Sequence, residues 1–151
     1  MTFPTRTEIL TAAKAALVSA GVAAADAIHI TRSMPITVAE MPAVTLTIDR
    51  EQDEITIEGQ SGVCTPELSR RSELQVGCFV EAASDLAVDA AITDLVEAVR
   101  DVLLGTTTAL DGVYQIDSAS AEYYVTTGQS AEYTAACRLV LSLRYDLQYG
   151  A

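Results

Sequence analysis

The sequence predicts an α+β fold: a mostly antiparallel sheet with two helices packed on one face, in a single domain covering residues 1–151. Two long alternating segments and one helical repeat carry that prediction. In Arg71–Ala82, Leu74, Val76, Cys78 and Val80 share one parity, and Glu73, Gln75, Phe79 and Glu81 the other. In Ala135–Leu147, Cys137, Leu139, Leu141, Leu143, Tyr145 and Leu147 stand against Arg138, Ser142, Arg144 and Asp146. Successive side chains point to opposite faces of a strand, so each segment buries one face and wets the other. Between them, Val88, Ala91, Ile92, Leu95, Val96, Val99, Val102 and Leu103 recur at helical spacing.

The first element is a helix from about Arg6 to Ala20, opened by a capping box at Thr5-Arg6-Thr7-Glu8 and stopped by Gly21. Its apolar stripe is Ile9, Ala13, Ala16, Leu17 and Ala20. Glu8 and Lys14 interrupt the run that would otherwise imitate a secretory signal, so the segment reads as a folded helix. A short strand, Ala27–Thr31, leads into Arg32-Ser33-Met34-Pro35. Met41-Pro42 requires an extended entry into a strand at Ala43–Arg50, where Val44, Leu46 and Ile48 alternate with Thr45, Thr47 and Asp49.

A turn is expected near Glu51–Asp53, with Glu54–Glu58 as the returning hairpin arm and Gly59–Ser69 as a loop before the first long strand. After the second helix, with Asp89, Asp94, Glu97, Arg100 and Asp101 on its outer face and Gly105 as its stop, Thr106–Asp111 reads as a turn region. Val113–Val125 reads as a broken strand or hairpin, and Thr126–Ser130 as a loop.

The chain carries 21 acids against nine bases, a formal charge of −12, which argues against direct gripping of nucleic acid, where phosphate neutralisation supplies most of the affinity. No apolar stretch is long enough to span a membrane. The three cysteines Cys64, Cys78 and Cys137 make no C-x-x-C pair. Cys78 and Cys137 follow the apolar parity and read as small core residues, bridged only if their positions face each other across two strands.

Nothing in the sequence assembles a catalytic, cofactor or metal site. His29 is the single histidine, set between Ile28 and Ile30, and reads as structural. Asp49, Glu51 and Asp53 fall at the first, third and fifth places of a calcium loop, but Glu54 replaces the required glycine and Gln60 the closing glutamate. Phosphate-cradling and nucleophile-elbow motifs are absent. Six tyrosines lie in the second half of the chain. Tyr145 follows the core parity, while of Tyr123 and Tyr124 one must point outward and is a candidate interface anchor. An assembly role fits this inventory better than an enzyme.

The order of signals is the most specific feature. Arg32-Ser33-Met34-Pro35 follows the first helix, and Met41-Pro42-Ala43-Val44 opens a strand into an acidic stretch. Arg71-Ser72-Glu73-Leu74-Gln75-Val76 comes next, then a helix centred on Asp94-Leu95 and a closing strand Leu139–Tyr145. Over nearly the whole chain this resembles the tail terminator family of long-tailed bacteriophages, the minor tail protein U group. The resemblance implies an α/β subunit assembling into a hexameric ring that caps the tail tube and receives the head connector. It implies a location at the tail–neck junction of the virion after assembly in the host cytoplasm, and no cofactor or catalytic residue. The implied partners are further copies of the chain, a tail tube protein and a head–tail connector or neck protein, with DNA passing through the bore without specific binding.

On that reading some of the acids line the bore and keep DNA from sticking. Arg70, Arg71, Arg138 and Arg144 are candidates to meet acids of a neighbouring subunit or of tube proteins, against pairing within the chain or plain exposure. Asp49, Arg50, Glu51, Asp53, Glu54 and Glu58, with the segment Gly59–Ser69, are candidate docking contacts that order on assembly. The competing readings are another neck or tail-completion subunit and, in a different class, an acidic DNA-mimicking regulator. The regulator requires carboxylates concentrated on one surface, whereas here they spread along the chain.

Overall fold

The computed structural model of the protein describes residues 3–60, 63–105, 114–127 and 133–148. Helix α1 (Arg6–Ser19) is followed by strand β1 (Ile28–Ile30), β2 (Ala43–Gln60), β3 (Val63–Ala82), helix α2 (Asp85–Leu103), β4 (Tyr114–Thr127) and β5 (Tyr133–Gln148). The five strands form one sheet in the order β1-β2-β3-β5-β4, with β1 parallel to β2 and every other pair antiparallel. Both helices cover the same face: α2 lies on β3 and β5, and α1 on β1, β2 and the flank of α2. This is the expected fold class. No helix among the described residues is long and apolar enough to cross a membrane.

The helix ends follow from their local sequence. Thr5 Oγ1 accepts from the Glu8 amide at 3.2 Å while Glu8 Oε2 accepts from the Thr5 amide at 2.8 Å, which is the expected capping box. At the other end Gly21, at φ +72°, turns the chain: its amide reaches the Val18 carbonyl and that of Val22 the Leu17 carbonyl, each at 3.1 Å. The buried stripe is Ile9, Leu10, Ala13, Ala16 and Leu17; Ala20 is exposed instead of joining it. Helix α2 begins on Ser84, whose Oγ accepts from the Ala87 amide at 3.2 Å. It buries Val88, Ile92, Val96, Val99 and Leu103, with Ala91, Leu95 and Val102 on the flanks of that stripe.

The core lies between these helices and one face of the central strands. Cross-strand rows Val44–Cys78–Cys137, Leu46–Val76–Leu139 and Ile48–Leu74–Leu141 put fully buried side chains in register over three strands. Cys78 and Cys137 therefore do face each other, as two buried free thiols. Burial pushes the Cys78 thiol up to about 12, and also raises that of Cys137. Tyr145 is buried at the end of the same face, as its parity predicts.

Between Ala43 and Ala82 the structure corrects the sequence reading. No turn occurs at Glu51–Asp53: β2 runs through to Gln60, and Val63–Ser69, expected as a loop, are the first residues of β3. Residues 51–53 hold none of the glycine, proline or asparagine that a tight turn uses; the strands instead pair as far as Gln60 opposite Val63, and residues 61–62 lie outside the described residues. The alternation breaks at Asp49–Arg50 because the register shifts by one there, between Ile48 and Arg50. Beyond this bulge Glu51 and Asp53 stand on the helix side, opposite Ser72 and Arg70.

The broken element expected at Val113–Val125 is one strand, β4, with its own shift between Ile116 and Ser118; Thr126 and Thr127 belong to it rather than to a loop. Val113, the 106–111 turn region and residues 128–130 lie outside the described residues. The two bulges flank the same central row, Glu73 opposite Ser142, so β2 and β4 are irregular at one level of the sheet.

Candidate assembly surface

One face of the sheet is the core; among the described residues neither α1 nor α2 covers the other. Pairing builds the bare face row by row: Ala43–Phe79–Ala136–Tyr124, then Thr45–Gly77–Arg138–Glu122, then Gln75–Val140–Ser120. The small residues Gly77 and Ala136 sit low between Phe79, Tyr124, Gln75 and Arg138. The result is a mainly apolar hollow of about 250 Å³, with Thr45 and Thr47 on its far side. Gly77 is essential to this shape: a Cβ there would run into Thr45 Oγ1 and stand 2.9 Å from the Phe79 ring.

Charges around the hollow are unevenly satisfied. Gln75 Nε2 donates to both oxygens of Asp49 at 2.9 Å. The Tyr124 hydroxyl donates to Glu122 Oε2 at 2.5 Å, which raises the tyrosine's pKa; Glu122 stands opposite Arg138 across the strands. Arg138 is exposed on the rim and makes no ion pair or hydrogen bond of its side chain among the described residues. Both tyrosines singled out in the sequence are about half exposed on the edge strand, Tyr123 on the helix side opposite Cys137 and Tyr124 on the bare side opposite Ala136.

The remaining candidates divide. Arg70 grips Asp53 through Nε–Oδ1 at 2.7 Å and Nη2–Oδ2 at 3.0 Å, and its guanidinium lies 4.7 Å from the centroid of the Phe3 ring. The arginine hydrogen bonds hold the Asp53 carboxyl below its usual range. Arg71 and Arg144 are cross-strand partners on the bare face, and Arg50, Glu51 and Glu54 are exposed along β2. Glu58 is opposite Thr65 in the β2–β3 ribbon; its side chain lies outside the described residues.

A second cluster fastens the segment before β2. Arg32 donates to both oxygens of Glu40, to Oε1 at 2.8 Å, and also to the carbonyls of Met34 (3.0 Å) and Pro35 (3.1 Å). The Arg32 hydrogen bonds, helped by Thr37, depress the Glu40 carboxyl to about 2. His29 Nε2 stands 3.9 Å from the same carboxylate, a structural setting as expected. The clamp leaves Met34 projecting, 72% exposed.

Sequence reasoning missed Leu86, 81% exposed in the first turn of α2, where the helical repeat was read only from Val88. Around it Ala83, Ala87 and Ala90 are exposed, with Asp85 and Asp89 beside them. Further along α2, Asp94, Glu97 and Asp101 are also exposed, and only Glu97 has a basic partner there, Arg100 at 2.9 Å. Among the described residues no group of three or more His, Cys, Asp or Glu is placed to hold a metal.

No protein-family model matches the chain, and no curated protein matches it. Among solved structures, a chain of the virion of a native gene transfer agent (GTA) particle is similar to it. The TM-score is 0.49 at 13% identity, over 97% of this chain and 100% of that one.

Proposed function

We propose that the protein is a structural virion subunit, a tail terminator. Six copies close a ring on the end of a phage tail tube, stop its growth and offer the joining surface for a connector or neck protein. The bare sheet face carries the assembly part of this reading: a flat, half-buried surface with an apolar hollow and an uncommitted arginine is suited to being covered by another protein. The place in the particle rests on the order of sequence signals shared with the tail terminator family.

Both outer strands leave backbone groups open as well. Among the described residues β1 covers only Val44–Leu46 of β2, and β4 has no neighbour beyond β5. The exposed carboxylates of α2 suit a wall past which DNA moves without adhering, since like charge repels phosphate at short range within the screening length of salt. The role is non-enzymatic. Negative-stain imaging of particles labelled with an antibody against this chain tests the reading: label at the junction of head and tail is expected, and label along the tube or at its far tip contradicts it.

A further inference from the structure

We infer that the hollow on the bare sheet face is the receptor for the first turn of α2 of a second copy, with Leu86 as the inserted side chain and Arg138 meeting Asp85 and Asp89. The inference rests on the ring reading above and names the contact that would build it.

The two surfaces are complementary in shape and charge. Leu86 is the most exposed large apolar side chain among the described residues, and it projects from a patch of alanines, Ala83, Ala87 and Ala90, that lets another surface approach closely. The hollow of about 250 Å³ has room for a leucine side chain, and Phe79, Tyr124, Gly77 and Ala136 are among the residues that line it. Among the described residues the two carboxylates beside the apolar knob make no ion pair, and neither does the Arg138 guanidinium beside the apolar hollow. Glu122, opposite Arg138 across the strands, accepts from Tyr124, and Asp49 accepts from Gln75. Docking would bring opposite charges together where water is excluded, which fixes the register of the contact as well as strengthening it.

The two surfaces cannot meet within one chain, because α2 packs on the core face and the hollow opens on the other. The contact is therefore head-to-tail between copies. Such a contact closes into a ring when the rotation between subunits allows it, and otherwise runs on as a filament. Neither surface is needed for the fold: Leu86 and Arg138 are exposed, and their substitution leaves the core rows intact.

Native mass spectrometry and sedimentation of the full chain test this with the wild type, Leu86→Asp, Leu86→Ala, Arg138→Glu, and Arg138→Glu combined with Asp85→Arg and Asp89→Arg. Circular dichroism melts identify any variant that fails to fold, and Leu86→Ala supplies the conservative reading of the apolar contact. The expected result is an assembled wild type, loss of the assembled species in Leu86→Asp and Arg138→Glu, weakening in Leu86→Ala, and recovery in the charge-swapped combination. An assembled wild type with all the folded variants equally assembled overturns this contact and leaves the ring reading standing. A wild type that stays monomeric at every concentration overturns both.

Discussion

Asp53 and Arg70 stand directly opposite each other in the β2–β3 ribbon, joined by two hydrogen bonds, with the Phe3 ring against the guanidinium. The pair ties β2, β3 and the segment that precedes α1 together at one point. Asp53 is more than a third exposed, so solvent screening keeps the pair's contribution small, about 1 kcal/mol or less. Arg70→Ala also loses the ring contact, roughly 0.5–1 kcal/mol more. Urea unfolding should therefore rank Arg70→Ala as more destabilising than Asp53→Ala, and the reverse order would contradict the geometry.

The Arg32–Glu40 clamp makes stability depend on acid. The folded Glu40 carboxyl titrates at about 2 against an ordinary value of 4.5, so in that interval the unfolded chain binds the extra proton. Its contribution is complete above 4.5 and fades as pH falls toward about 2. Glu40→Gln should flatten this part of the pH dependence of urea midpoints, and an unchanged slope would remove the clamp from the account.

Ser72 is buried on the helix-side face, and its Oγ has no hydrogen-bond partner among the described residues. A buried hydroxyl left in that state is a cost, so Ser72→Ala should be neutral or stabilising by about 1 kcal/mol. A loss of more than that in thermal melts would mean that the hydroxyl has a partner.

Cys78 and Cys137 should resist alkylation in the native protein, since both are buried and the Cys78 thiolate is strongly disfavoured. Site-resolved mass spectrometry after brief treatment with iodoacetamide should find both unmodified until denaturant is added. Leu141→Ala, in the middle of the core, should cost about 2–5 kcal/mol, whereas Leu86→Ala should lie within about 0.5 kcal/mol of the parent in a monomeric reference.

Much of this architecture was legible in the residues because local chemistry and burial agree. Thr5 and Glu8 cap α1, Gly21 ends it, and Val88 to Leu103 repeat on one side of α2. Residues 49–69 were not legible because two signals point the wrong way there. The run from Asp49 to Glu54 is polar throughout, which imitates a turn, and the bulge after Ile48 reverses the parity that alternation relies on. The strand is fixed by pairing with Leu68–Leu74, a long-range fact that no local window contains. The candidate surface was less visible still. Phe79 was read on the wetted face, where it stands, but a hollow needs Gly77, Ala136 and Tyr124 brought beside it from three strands.

The central claim is that this chain acts as one member of a closed ring. Native mass spectrometry of the purified full-length protein, raised in concentration and supported by imaging, addresses it most directly. A discrete species six times the mass of one chain, seen as annuli, is the expected result. A single-chain mass throughout the series, with no annuli on the grid, would contradict it.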